Sequence, residues 1–165
     1  KGHIYFLQAI QQVRAHFPEI RVFIIGDGEL HAQLENTSRE SGLETNVIFT
    51  GYREDAITLL SGFDFFVLPS LWEGFGLVLL EAMAMKKAIV ASEVSAIPES
   101  VIHDKTGLLV PPKDSEKLAE AMLRLLHDKA LCRSMGEAGY KRLQQDFSVQ
   151  KMVDATEKLY TTLIV

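Results

Sequence analysis

The sequence predicts a doubly wound α/β domain built on a parallel sheet. Short apolar runs at 20–25, 65–68 and 88–91, the first broken only by Arg21, leave no polar face to turn toward water. That is the pattern of strands covered by helices on both sides. Helical periods separate these runs, with room for a crossover after each strand. The third observation is punctuation: Gly26, Gly51 and Pro69-Ser70 stand at the ends of apolar runs. Three turns then gather at the C-terminal ends of the strands, where such sheets bind ligands.

Taken in order, Phe6, Leu7, Ile10, Val13 and Phe17 recur at helical spacing, and Pro18 ends that helix. The strand 20–25 follows, and Gly26-Asp27-Gly28 turns the chain into a helix over about 29–41, closed by Gly42. A short strand at 47–50 ends at Gly51, and a helix over 55–62 leads to the strand 64–68. The next helix, roughly 75–85, is apolar nearly all round and is expected to be buried. Residues 88–91 form a strand, the segment through Pro98-Glu99 a loop, and 107–110 a last strand stopped by Pro111-Pro112.

Beyond Asp114 the chain reads as helix throughout. Asp114 or Ser115 caps the first of these, whose Leu118, Ala121, Met122 and Leu125 share a face. A second runs over about 129–145, and Ser148 caps a third that reaches Leu163. If the strand order is 3-2-1-4-5-6, the first and central strand lies ahead of Lys1. It is expected outside this sequence, and the chain alone is expected to be unstable unless another segment fills the slot.

At 165 residues the chain is long enough for one domain with a full core. Its 47% hydrophobic and 24% charged residues are those of an ordinary globular protein. A net charge of −5 argues against a general nucleic-acid binder, though a local basic site around a phosphate is compatible with it. Cys132 is the sole cysteine, which excludes an internal disulfide or a cysteine metal cluster and permits a reducing compartment. The long apolar region 59–85 is interrupted by Asp64, Pro69, Glu73 and Glu81, so it reads as core and not as a membrane span. The five histidines show no metal-ligand spacing, and no Ser-His-Asp or Cys-His pairing is visible. No metal or cofactor is expected.

Chemistry shows through the fold between Pro69 and Glu81. Pro69 stops a buried strand, and Gly74 and Gly76 permit a tight turn into the apolar helix. Strand, glycine turn and helix N-terminus make an anion site, because the first helical N–H groups have no partner within the helix. Glu73 lies just before that helix and Glu81 inside it, ~12 Å apart if the residues between are mostly helical. The spacing suits an elongated ligand with polar groups at both ends and phosphate between, the form of a nucleoside diphosphate sugar. One carboxylate would take sugar hydroxyls, the amides the diphosphate, and the other carboxylate the ribose. In the plainer reading Glu73 complements the helix dipole and Glu81 sits on a solvated face.

Glu73-Gly-Phe-Gly-Leu-x-x-x-Glu81, flanked by Leu68-Pro69-Ser70 and the later Pro98-Glu99, resembles the E-x7-E motif of the retaining glycosyltransferases of family 4. These have the GT-B fold, and the resemblance covers essentially the whole chain as their C-terminal, donor-binding half. It implies that Lys1 of the Lys1-Gly2 pair and the N–H groups of Phe75, Gly76 and Leu77 hold the donor diphosphate. It assigns the sugar hydroxyls to Glu73, the ribose diol to Glu81, and a place beside the diphosphate to the Gly26/Gly28 turn. Gly51-Tyr52-Arg53 corresponds to the region where the nucleobase packs.

The same residues have plainer readings. Gly26-Asp27-Gly28 is a partial dinucleotide fingerprint with His31 at its third glycine position, and a simple turn explains it as well. Arg53 suits a surface turn, Ser70 a structural role or a ligand contact, and Trp72 packing beneath the loop or a place in the acceptor cleft. Ser95 and Ala96 stand where the resembling family usually has two glycines before x-Pro-Glu, which puts the loop's conformation, and with it Glu99 as a donor-binding residue, in question.

The resulting expectation is transfer of a sugar from a nucleoside diphosphate sugar to a glycan or lipid acceptor, with retention of configuration. This chain supplies the donor site, the acceptor binds an N-terminal domain outside it, and the isolated domain is inactive. The resemblance implies a cytoplasmic enzyme, peripheral at the inner face of a membrane only through the part outside this chain. The alternatives are another GT-B enzyme such as a phosphorylase or epimerase, a non-catalytic sugar-nucleotide module, and a dinucleotide oxidoreductase.

Overall fold

Helices and strands alternate from the first residues to β5. The computed structural model describes residues 1–163. It runs α1 (His3–His16), β1 (Val22–Ile25), α2 (His31–Glu40), β2 (Val47–Gly51), α3 (Ala56–Ser61), β3 (Phe65–Leu68), α4 (Leu77–Ala84) and β4 (Ala88–Ser92). The short α5 (Ile97–Ser100), β5 (Gly107–Val110), α6 (Ser115–His127), α7 (Lys129–Asp146) and α8 (Val149–Leu163) follow. Asp114, not Ser115, caps α6, its Oδ1 accepting the Lys117 N–H at 2.8 Å. Ser148 Oγ accepts the Lys151 N–H at the start of α8, at 3.3 Å.

Two local expectations are corrected. α4 begins at Leu77 and not at 75, because Gly76 takes φ 75°, a left-handed backbone that cannot continue into a right-handed turn. The loop through Pro98 and Glu99 holds the single turn α5, whose first turn accepts Pro98 because the missing N–H would have had no partner there.

All strands run parallel, in two sheets. β1 pairs with β2, Val22 opposite Val47. β3, β4 and β5 form the other sheet, with Phe65 opposite Ala88 and Ile89 opposite Gly107. Between β1 and β3 lies an apolar groove of about 900 Å³, lined by both strand edges and open toward Lys1, Pro69 and Glu81. The rings of Phe23 and Phe63 stack across it with centroids 5.1 Å apart. The order is therefore β2-β1-groove-β3-β4-β5, and the groove stands where a 3-2-1-4-5-6 sheet has its first strand. Among the described residues no strand fills it, and the apolar β3 is only half-buried whereas every residue of β4 is buried.

Helices cover both faces. On one, Phe6, Leu7, Ile10 and Val13 of α1 pack with Val22, Ile24, Val90 and Leu108 and with Leu118, Met122 and Leu125 of α6. On the other, Leu79, Ala82 and Met83 of α4 meet Leu68, Ile89, Ala91 and Ile97. Alternate residues of β4 enter the two cores, which is why that strand carries no charged residue. The expectation that α4 is buried all round does not hold: Leu77 is 69% exposed, because the helix lies on the sheet with one side only.

α8 buries no residue and leaves Val149, Met152, Leu159 and Leu163 exposed. α7 is pressed against the start of β4 so closely that a Cβ on Gly136 would stand 2.0 Å from the Lys86 carbonyl oxygen. Gly136→Ala is expected to destabilise the chain by about 1–3 kcal/mol in urea unfolding, as overpacking does. An unchanged midpoint would mean that α7 can shift without loss.

Candidate functional site

The turns after β1, β2 and β3 meet at one end of the molecule, as the sequence predicts. Gly26 donates its N–H to the Gly51 carbonyl at 2.9 Å, joining the first two. The third is approached by the start of α1. Gly2 has φ 76°, and a Cβ there would lie 2.1 Å from the Pro69 carbonyl oxygen, so only glycine lets these backbones touch.

That contact places Lys1 over the loop ahead of α4. Its Nζ pairs with Glu73 Oε2, which also accepts the Ser70 hydroxyl at 3.2 Å. Glu73 is 13% exposed at its side chain. The Lys1 ammonium holds its carboxyl below the usual carboxylate range, overcoming the opposite pull of burial, and Ser70 and the Gly74 N–H act in the same direction. Ser70 is itself fully buried, so its hydroxyl serves to orient Glu73. Lys1, Ser70 and Glu73 thus form a connected charged cluster beside the N-terminus of α4. The first N–H groups of that helix lack partners within it, and no side chain caps them.

Glu81, one helical turn further into α4, is half-buried and lines the groove together with Lys1 and Val78. Among the described residues its carboxylate has no ion-pair or side-chain hydrogen-bond partner. Gly74, Phe75 and Gly76 form the turn, and Phe75 precedes α4 instead of opening it.

The remaining predicted residues lie at the rim. Asp27 Oδ1 accepts the Gly28 N–H at 2.7 Å, which stiffens the Gly26–Gly28 turn. Tyr52 is 76% exposed, and Arg53 makes a two-point pair with Asp55, both contacts 2.7 Å, so its guanidinium is held within its own turn. Trp72 is 75% exposed and does not pack beneath the loop as expected. Glu99 points outward from α5. Ser95 takes φ 49°, so it keeps the left-handed backbone for which glycine would be the natural residue.

Three residues near the site escaped the sequence reading. His3 lines the groove beside Lys1, and burial pushes its imidazole below the usual range, with nearby positive charge adding to the shift. Arg142 and Phe147 come from the far end of the chain to contact the loops of Glu99 and Phe75. Nothing in their local sequence marks them, because only tertiary packing brings them there.

Comparison with known proteins finds the same doubly wound fold. The model of the glycosyl transferases group 1 family matches residues 1–142. The C-terminal domain of a glycosyl transferase group 1 family protein from Francisella tularensis superimposes with a TM-score of 0.81 at 30% identity, over 90% of this chain and 80% of that one. Anabaena HepE in complex with UDP-glucose gives 0.89 at 26% identity, over 98% of this chain and 45% of that one. The Escherichia coli UDP-Gal:alpha-D-GlcNAc-diphosphoundecaprenol alpha-1,3-galactosyltransferase is 30% identical over 168 residues, 100% of this chain and 43% of the relative. The Bacillus anthracis N-acetyl-alpha-D-glucosaminyl L-malate synthase is 32% identical over 142 residues, 86% of this chain and 37% of the relative. The chain spans less than half the length of these two relatives.

The fold is the Rossmann-like C-terminal half of the GT-B glycosyltransferases. The chain belongs to the glycosyl transferases group 1 family.

Because the folded-state pKa of Glu73 is depressed, the stability of its pair with Lys1 is fully present above about pH 4.3, the ordinary glutamate value, and is lost as the pH falls below it. Urea midpoints of wild type and Glu73→Gln are therefore expected to differ at pH 7 and converge on acidification; a constant gap would refute the pair's role. Ser95→Gly is expected to stabilise by about 0.5–1 kcal/mol, relief of the left-handed strain outweighing the entropy of glycine. A lowered midpoint would show that the Ser95 side chain has a compensating contact.

Proposed function

We propose that this chain supplies the donor site of a glycosyltransferase that moves a sugar from a nucleoside diphosphate sugar to a glycan or lipid acceptor, with retention of configuration. The observation that carries the reading is the Lys1–Glu73–Ser70 cluster at the open N-terminus of α4, with the half-buried Glu81, which has no side-chain partner among the described residues, on the same helix. A half-buried carboxylate needs hydrogen-bond donors, and a ribose diol provides two. The Anabaena neighbour is described with UDP-glucose and the Escherichia coli relative is named for UDP-Gal, which supports a donor of this class.

In this reading the diphosphate lies against Lys1 and the first N–H groups of α4. As the sugar–phosphate bond breaks, negative charge grows on the departing diphosphate, and a fixed ammonium and helix N-terminus stabilise it without water having to reorganise. The reaction then needs no metal. Glu73, kept ionised by Lys1, accepts hydroxyls of the sugar. Gly26 and Gly28 border the diphosphate, and the Gly51–Arg53 turn borders the base. The acceptor belongs to a domain outside this chain. No helix among the described residues is long and apolar enough to cross a membrane. In this reading contact with a lipid acceptor at the inner face of a membrane falls to that outside domain as well.

Calorimetric titration with UDP, GDP, ADP and NAD tests the proposal. One nucleoside diphosphate is expected to bind, and Glu81→Gln is expected to weaken it about tenfold or more, as loss of charge-assisted hydrogen bonds does. Unchanged affinity in the variant would remove Glu81 from the ribose, and binding of NAD alone would replace the donor reading by an oxidoreductase one.

A further inference from the structure

Two loops, 74–76 ahead of α4 and 93–100 after β4, are both reached by the end of α7. Arg142 donates from Nε to the Ser100 carbonyl at 3.0 Å and from Nη2 to the Glu99 carbonyl at 2.8 Å. Its third contact, Nη1 to Asp146 at 3.1 Å, holds the guanidinium from its own helix. The face of the guanidinium lies over Phe147, 5.4 Å from the ring centroid. Phe147 in turn meets the ring of Phe75 edge-on, with centroids 6.1 Å apart.

Each loop has reason to need such a support. α5 is one turn long, so its last carbonyls have no partner within it, and Ser95 in the same loop is in a strained backbone. The 74–76 loop contains two glycines and ends in the uncapped start of α4. The support itself is firm, because α7 is in backbone contact with the start of β4 at Gly136 and rests on Met83 at Gly139.

We propose that Arg142 and Phe147 are positioning residues, a clamp that holds the Phe75 loop and the Glu99 loop at a fixed separation around the sugar-diphosphate part of the donor. The proposal rests on the donor-site reading. Neither residue touches the donor; they act through the loops that do. Arginine is required, since two carbonyls and an aromatic face are engaged by one planar fork, a combination a lysine ammonium cannot make. The base and ribose, bound at the Gly51 turn and Glu81, lie outside its reach.

The test compares UDP-glucose, GDP-mannose and ADP-glucose with UMP, GMP and AMP on the whole wild-type protein that contains this chain and on its Arg142→Ala, Arg142→Lys and Phe147→Leu variants. All three variants are expected to bind the matching nucleotide sugar about tenfold more weakly while keeping the affinity for the monophosphate. Hydrogen exchange at both loops is expected to accelerate together when either residue is lost. Wild-type affinity for the nucleotide sugar in the variants would overturn the clamp, as would an equal loss for the monophosphate. If Arg142→Ala does not fold, Arg142→Lys still decides, since full binding by it would refute the need for the fork. A wild-type protein that unfolds cooperatively in urea yet binds none of the six nucleotides would instead defeat the donor-site reading, and the clamp with it.

Discussion

The contact between Gly2 and the Pro69 carbonyl joins two sheets that no backbone ladder connects among the described residues. β1–β2 and β3–β4–β5 are distinct sheets, and the groove between them removes the usual ladder of backbone bonds. What spans the break is α1, whose inner face packs with α6 in the shared core, and whose first residues rest on the turn after β3. A side chain at position 2 would push that turn away, and Lys1 would no longer reach Glu73. The charged cluster therefore exists because a backbone approach, possible only without a Cβ, brings a cation from one sheet's helix to a carboxylate after the other sheet.

The consequences are electrostatic. Glu73 is mostly buried, which by itself would favour the neutral acid; Lys1, Ser70 and Gly74 reverse that balance. The carboxylate is thus ionised and its lone pairs are directed before any ligand arrives. Preorganisation of this kind suits a reaction whose main demand is to hold charge in place. Glu81 is placed differently. It lines the groove from the middle of α4 and has no side-chain partner among the described residues, and only the proposed reading gives it a ligand. The two glutamates, equivalent in the motif, acquire different roles from their surroundings.

The strand order, the parallel sense and the gathering of the three turns were legible because burial on both faces of a strand removes polar residues from it, and because glycine and proline punctuate strand ends. Glu73 and Glu81 were visible in the sequence as two carboxylates around a glycine turn and an apolar helix, but the pairing of Glu73 with Lys1 was not. The start of α4 was misread by two residues, since Gly76 could have been a helical residue until its φ was known. Of the two readings open for Trp72, packing beneath the loop is not what the structure shows, because the loop carries the side chain outward. α5 was missed because one turn has no period to detect.

By itself the sequence determined the order of the elements and the end of the sheet at which the glycine and proline turns gather, which follow from local periodicity and turn chemistry, and it carried the motif from Glu73 to Glu81 on which the family resemblance rests. Only the tertiary structure decided that Lys1 pairs with Glu73, that Ser70 orients it, and that Arg142 and Phe147 reach both flanking loops. Those contacts link residues up to 72 positions apart, and no local pattern encodes them. They arise where helices from separate crossovers converge on one sheet edge, a geometry fixed by close packing of the whole chain.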